Sequence, residues 1–137
     1  MLLYRIERKA RSSLLERVPF FAACSPEQLA TLAASAYPLA FDPGEHLCVE
    51  GSESPDLYVI ASGDAEVVID GERVGVVGVD GVVGERGVIL GTTRAATVTA
   101  TSHMITFAIS REVLQRVLDT SPEVIAAMQD HVRRRYA

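Results

Sequence analysis

The 137-residue sequence carries 18 acidic and 13 basic side chains, a net charge of −5, and 48% hydrophobic residues. The length predicts one domain with a sizeable core, and the hydrophobic content and the short apolar runs exclude a disordered tail and a membrane span. The acidic balance argues against nucleic-acid binding. The two cysteines, Cys24 and Cys48, fit neither a disulfide scaffold nor a zinc module, and they predict a reducing, cytoplasmic location.

Charge and glycine are unevenly distributed along the chain. Residues 1–17 carry a net charge of +3, residues 18–85 a net charge of −11, and residues 86–137 a net charge of +3. All ten glycines fall between Gly44 and Gly91. Because glycine supports turns and weakens helices, this distribution predicts helical ends around a strand-rich centre.

The N-terminal segment, residues 1–36, is predicted to be helical. Residues 2–17 place apolar side chains at helical spacing among basic residues, which predicts an amphipathic helix that packs on the domain or links it to a partner. A membrane-surface or nucleic-acid role for its basic residues is the alternative. Ser25 and Gln28 have the spacing of a capping box, so a second helix is expected to begin here and to end before Pro38.

Residues 37–109 are predicted to form an antiparallel β-barrel of the jelly-roll (double-stranded β-helix) type. The candidate strands are rich in β-branched and aromatic residues; they are residues 46–50, 57–61, 65–69, 73–77, 96–100 and 104–109. Asp70 and Gly71 form a two-residue hairpin signal. Six to eight short strands at this spacing favour a barrel, because closure removes exposed strand edges.

Residues 110–137 are predicted to form C-terminal helices. Ser110 can cap the first of them, and Pro122 stands at the start of the second. The second helix presents an apolar stripe that indicates a packing surface, namely Ile125, Met128 or Gln129, Val132 and Tyr136. Residues 133–135 are three arginines at the helix end, where the helix dipole favours cations; they form a solvated end or meet an anionic partner.

Residues 84–97 interrupt the strand pattern and hold the candidate binding chemistry. A short helix starting near Gly87 would point free N–H groups at an anion, and Arg94 supplies a guanidinium suited to phosphate oxygens. Glu85 repels phosphate, so it would serve a ligand only by accepting hydrogen bonds from hydroxyls such as those of a sugar. Together these groups indicate a nucleotide-sized ligand. The alternative is that Glu85 caps a helix and Arg94 is a solvated strand-end residue.

This segment, GERGVILGTTRAAT, resembles the phosphate-binding cassette of the cyclic nucleotide-binding domain family, most of all that of protein kinase A regulatory subunits. Upstream segments resemble the family's N-terminal helical motif and its strand-and-turn signature; they are residues 18–21, 25–29, 41–45 and 57–67. The resemblance extends over residues 18 to 120. It implies a bacterial-type single regulatory domain that binds cAMP, is not an enzyme and needs no cofactor.

The resemblance implies a role for each group of the cassette. Glu85 would accept a hydrogen bond from the ribose 2′-hydroxyl, and Arg94 would pair with the cyclic phosphate. The backbone amides of Gly87 and Val88 would donate to the other phosphate oxygens. Gly84 would allow the tight turn that precedes them.

Five further residues complete the predicted site. Ala95 stands where cGMP-selective members have a threonine, so cAMP is expected to bind more tightly than cGMP. Ala96 would line the phosphate pocket, and Val76 and Val83 would form the apolar wall around the base. Arg86 replaces a commonly apolar residue, and it would either add a charge near the phosphate or turn to solvent.

The resemblance implies an effector, which is an attached or separate channel, transporter or enzyme controlled through movement of the C-terminal helices. Because the sequence ends at residue 137, the helix-turn-helix domain that bacterial transcription activators of this family carry is not expected, and the chain is expected to be either a separate sensor or a regulatory domain of a larger protein. A cupin-like metalloenzyme is one alternative, although His46, His103 and His131 form no metal-ligand motif. A module of the same fold that has lost its ligand is another, and the presence of both Glu85 and Arg94 argues against it.

Overall fold

The computed structural model of the chain describes residues 11–53, 56–85, 87, 91 and 93–135. These residues form two four-stranded sheets with helices before and after them in sequence. The mainly β fold with flanking helices that the sequence predicts is confirmed. Among the described residues, no helix is long and apolar enough to cross a bilayer.

The described residues form eight strands, β1 to β8 in chain order. Their bounds are Tyr37–Phe41, His46–Cys48, Leu57–Ser62, Ala65–Ile69, Glu72–Val77, Val82–Val83, Thr97–Ala100 and Met104–Ile109. One sheet has the order β1-β8-β3-β6 and the other β2-β7-β4-β5, and all neighbouring strands are antiparallel. The six predicted strands are present with small changes at their ends, and β1 and β6 join them.

The turn between β4 and β5 is the hairpin that the sequence predicts. Asp70 has a φ of 51° and Gly71 a φ of 80°, which are the two positive values that a type I′ turn requires. The turn brings Ile69 opposite Glu72. The Asp70-Gly71 signal is therefore confirmed.

The two sheets together form what we call the barrel, and helices flank it in sequence on both sides. Those within the described residues comprise a helical segment at residues 11–16, a 3₁₀ helix η1 (Pro19–Ala23), and three α-helices that we call α1 (Pro26–Ser35), α2 (Arg111–Asp119) and α3 (Pro122–Arg135). The predicted capping box is present at α1, because the Ser25 hydroxyl accepts from the Gln28 amide at 3.1 Å and the Gln28 side chain accepts from the Ser25 amide at 2.8 Å. The Ser110 hydroxyl caps α2 through the Val113 amide.

Strand β3 separates two hydrophobic cores. Its side chains alternate between the two faces of the sheet. Leu57 and Val59 pack against the helices, whereas Tyr58 and Ile60 face the barrel interior, and all four are buried. The helical layer and the barrel interior therefore meet on opposite faces of one strand.

The buried stripe of α3 begins one residue earlier than the sequence predicts. Val124, Met128 and Val132 are buried, while Ile125 is half-buried and Gln129 is exposed. The predicted Tyr136 lies outside the described residues. Met128 is thus the core residue where the sequence left a choice between Met128 and Gln129.

Candidate ligand-binding site

Gly84, which directly follows β6, lies against the side chain of Arg94. Its φ of 104° is in the left-handed region that glycine adopts at little cost. A Cβ atom at Gly84 would overlap Nη1 of Arg94 and would lie 2.8 Å from the carbonyl oxygen of Asp56. A glycine is therefore required for the guanidinium to occupy this place.

The Arg94 side chain is buried and fixed at both ends. It is 5% exposed, its Nη2 donates to the carbonyl oxygen of Asp56 at 2.6 Å, and its Cζ lies 5.7 Å from the centroid of the Tyr58 ring. Its backbone N–H donates to Ser52 and its carbonyl accepts from Gly51, both at 2.9 Å. Because a buried charge is weakly screened, this guanidinium attracts anions more strongly than a surface arginine would.

Glu85 lies next to Gly84 and is fully buried. Glu85 and Gly87 both have helical backbone. The Glu85 Oε1 atom is 3.6 Å from Nε2 of His131 on α3, and the His131 ring meets the Phe20 ring of η1 edge-on at 5.2 Å between centroids. The C-terminal helix and η1 therefore reach the candidate site through one histidine.

Three further residues of the predicted site in the cassette, Gly87, Ala95 and Ala96, belong to the described part of the chain. Ala96 is buried, and Ala95 and Gly87 are half-buried. Arg86 and Val88 lie outside the described residues. The contact of the Val88 amide with the phosphate therefore stays a prediction, as does the choice between phosphate and solvent for the Arg86 side chain.

The two residues predicted to form the apolar wall lie in different environments. Val83 is buried in the barrel interior in the same cluster as Tyr58 and directly precedes Gly84. Val76 is 64% exposed on β5, which is the last strand of its sheet. Val83 is therefore adjacent to the candidate site, whereas Val76 faces solvent, and a role for either in base binding stays a prediction.

Sequence reasoning did not identify the partners of the two charged residues. Asp56, Tyr58 and His131 contact Arg94 or Glu85, yet none belongs to the cassette. The charge of Asp56 and the lone histidine of α3 carry no spacing signal toward the cassette. Only the packing of β3 and α3 brings them there.

Cys48 lies beside the candidate site. Its thiol is buried and donates to the carbonyl oxygen of Ala96 at 3.4 Å. Burial raises the pKa of Cys48, and the nearby charge of Arg94 opposes that rise. Burial also raises the pKa of Cys24, to about 11.

Both thiols are expected to react slowly with an alkylating reagent in the folded protein at pH 8. The thiolate is the reactive form, and a pKa raised from 9.0 to about 11 lowers the thiolate fraction of Cys24 roughly 100-fold. The rate should increase as the pH rises toward that value. Mass spectrometry of alkylated protein measures this rate, with urea-unfolded protein as the control. Equal rates in both states would contradict the burial of Cys48 and the partial burial of Cys24.

The three histidines of the described residues occupy separate environments. His46 Nδ1 is 2.8 Å from the hydroxyl of Thr99, and His103 Nδ1 is 3.3 Å from a carboxylate oxygen of Asp42, whereas His131 contacts the candidate site. Within the described residues, no group of three or more histidine, cysteine or acidic side chains is arranged to hold a metal ion. A cupin-like centre would need such a shared set.

Comparison with known proteins places the fold and the cassette in one family. The family model described as the cyclic nucleotide-binding domain matches residues 38–121. The chain belongs to the cyclic nucleotide-binding domain family. The resemblance predicted from the cassette is therefore confirmed.

This cyclic nucleotide-binding domain is similar to parts of a much longer ion channel and a much longer protein kinase. It is 30% identical over 129 residues to the cyclic nucleotide-gated channel alpha-4 of Mus musculus, covering 88% of this chain and 22% of the channel. It is 31% identical over 111 residues to a cGMP-dependent protein kinase of Toxoplasma gondii, covering 81% of this chain and 11% of the kinase. The chain thus spans less than a quarter of these relatives.

Solved structures of protein kinase A regulatory subunits share the fold. The regulatory subunit of a cAMP-independent protein kinase A from Trypanosoma brucei superposes with a TM-score of 0.83 at 24% identity, covering 93% of this chain and 46% of that one. The regulatory domain of Toxoplasma gondii protein kinase A, solved with cAMP, gives 0.84 at 18% identity, covering 95% and 51%. These relatives are eukaryotic, so the bacterial type expected from the sequence is not supported.

Proposed function

We propose that this domain binds cAMP, with cGMP bound more weakly, and that binding regulates an attached or partner effector without catalysing a reaction. The observation that carries the proposal is the placement of a buried guanidinium, Arg94, and a buried carboxylate, Glu85, at the same glycine, Gly84. A cyclic nucleotide joins an anionic phosphodiester to a ribose hydroxyl, which are the two groups that such a pair can bind. The two free cysteines support a reducing cytoplasmic location.

The residues after the cassette glycines support cAMP as the ligand. Ala95 has no hydroxyl that could bind the edge of a guanine. A triple mutant of the Trypanosoma brucei subunit is described as bound to cAMP, and two of its changes convert a threonine and the next residue, a valine, to arginine and alanine. Arg94 and Ala95 are the same pair in the same order.

Calorimetric titration with cAMP, cGMP and guanosine tests the proposal. Guanosine belongs in the set because a Trypanosoma cruzi relative of the fold is described as bound to it, and it lacks the phosphate. We expect cAMP to bind about 2- to 12-fold more tightly than cGMP, the scale of one hydrogen bond, and guanosine to bind more weakly than both. Guanosine binding as tight as that of cAMP would exclude a phosphate site at Arg94.

The contact between Glu85 and His131 supports a route from the ligand to the C-terminal helix. Glu85 Oε1 lies 3.6 Å from His131 Nε2. A ribose hydroxyl that donates a hydrogen bond to this carboxylate would therefore change the electrostatic interaction between the carboxylate and the imidazole. The His131 ring also packs on Phe20 of η1. A change at Glu85 therefore reaches α3 and η1 together, and a ligand with different affinity for two arrangements of α3 shifts the population between them.

Replacing His131 by alanine is expected to reduce the response of α3 to cAMP. One contact of about 0.5–1.5 kcal/mol corresponds to an about 2- to 12-fold change in local opening. Hydrogen exchange of residues 122–135 with and without saturating cAMP measures this response. Gln129→Ala, at an exposed position on the same helix, is the control and should respond as the unsubstituted protein does. An unchanged response in His131→Ala would rule out the relay.

A further inference from the structure

Two short hydrogen bonds connect strand β1 to the guanidinium of Arg94. The Tyr37 hydroxyl donates to a carboxylate oxygen of Asp56 at 2.6 Å, and the carbonyl oxygen of Asp56 accepts from Nη2 of Arg94 at 2.6 Å. We propose that Tyr37 is a positioning residue for phosphate binding, which acts by holding Asp56 so that its carbonyl fixes the Arg94 guanidinium. This inference rests on the proposed binding of a cyclic phosphate by Arg94.

The hydroxyl of Tyr37 remains a hydrogen-bond donor at physiological pH. Its hydrogen bond to the Asp56 carboxylate is the main cause that raises the pKa of Tyr37 to about 12. Since the phenol ionises only near that pH, it stays protonated and donates throughout the physiological range. Tyr37 is 41% exposed, so solvent weakens the bond, and we expect a graded effect on affinity and not its loss.

The carbonyl of Asp56 occupies a crowded position. It lies 2.8 Å from the place that a Cβ of Gly84 would take, where the Arg94 guanidinium also packs. A small shift of Asp56 would therefore move the acceptor away from Nη2 or press it against Gly84. A small displacement of the Arg94 guanidinium should weaken phosphate binding, because the planar guanidinium pairs with phosphate oxygens in a fixed geometry.

The backbone of Arg94 is held by different groups. Its N–H and carbonyl pair with Ser52 and Gly51, and neither residue is part of the hydrogen-bonded chain from Tyr37. Loss of the Tyr37 hydroxyl should therefore disturb the end of the Arg94 side chain and leave its backbone in place. This separation allows an effect on positioning to be distinguished from an effect on the fold.

Tyr37→Phe is the test, because phenylalanine keeps the ring and the pairing of β1 with β8 and removes only the donor. We expect the Kd for cAMP to rise about 2- to 12-fold, the range of one hydrogen bond, with little change in the midpoint of thermal unfolding. Asp56→Ala should have a similar effect, and Asp56→Asn, which keeps an acceptor oxygen, should restore most of the affinity. Thr101→Val is the matched control, because Thr101 donates its hydroxyl to the carbonyl of Asp64 and follows the far end of β7.

The decisive measurement is the same Tyr37→Phe change in an Arg94→Ala background, with cAMP binding followed by NMR at millimolar ligand. If Tyr37 acts through Arg94, the change has no effect there, because coupled residues are not additive. An equal rise in Kd in both backgrounds would overturn the positioning role, as would an unchanged Kd for Tyr37→Phe alone while the unsubstituted protein binds cAMP. Failure of the unsubstituted protein to bind any cyclic nucleotide would overturn the proposed function and, with it, this inference.

Discussion

Replacing Arg94 by alanine is expected to weaken cAMP binding about 30- to 150-fold. The change removes charge-assisted hydrogen bonds to the phosphate, which contribute about 2–3 kcal/mol. The loss should be large because the guanidinium is buried and because residues 18–85, which include the strands that precede the cassette, carry a net charge of −11 that opposes an anionic ligand. Calorimetric titration with cAMP measures the effect.

Two further variants separate the contribution of the Arg94 side chain from a general effect of removing an arginine. Arg17→Ala removes an exposed arginine whose side chain pairs with Asp80 at 3.3 Å, and it should leave the Kd unchanged. Arg94→Lys keeps the charge but loses the fork, so we expect an intermediate affinity. A Kd for Arg94→Ala equal to that of the unsubstituted protein, measured on folded material, would remove Arg94 from the binding site.

Replacing Gly84 by alanine is expected to lower both stability and cAMP affinity. The φ of 104° costs an alanine about 1–3 kcal/mol. The new Cβ would also displace the guanidinium of Arg94 or the carbonyl of Asp56. We therefore expect a lower unfolding midpoint and a Kd raised at least about tenfold, toward the value for Arg94→Ala.

Gly44 offers a matched control for the backbone contribution. Its φ is 92° and nothing lies within 4 Å of the place that a Cβ would take. Gly44→Ala should therefore show the loss of stability without the loss of affinity. In an Arg94→Ala background the overlap of the new Cβ with the guanidinium is absent and only the crowding against the Asp56 carbonyl remains, so Gly84→Ala should lower the unfolding midpoint by less there. Equal behaviour of Gly84→Ala and Gly44→Ala in cAMP binding would show that the contact with Arg94 has no role.

Local features of the fold could be predicted from the sequence because short-range chemistry determines them. The capping box of Ser25 and Gln28 and the Asp70-Gly71 hairpin each depend on residues within four positions of one another. The cassette could be recognised for a related reason, since its glycines and charged groups follow one another along the chain.

Features that depend on tertiary packing could not be predicted in the same way. The sequence does not predict strand β1, because Pro38 indicates the end of a helix, yet proline is tolerated in β1, which is an edge strand of its sheet. Strand β6 has two residues, too few for an alternating pattern. The contacts of Glu85 with His131 and of Arg94 with Asp56 join distant segments, and no periodicity reports which helix or strand will meet the cassette.

Strand β3 is buried on both of its faces, and this has a consequence for how the domain unfolds. Leu57 and Val59 belong to the helical core and Tyr58 and Ile60 to the barrel core, so neither core can open without exposing one face of the same strand. The helices and the barrel should therefore unfold together as one cooperative unit. A barrel without its helices would expose the apolar face of β3 and would be prone to aggregation.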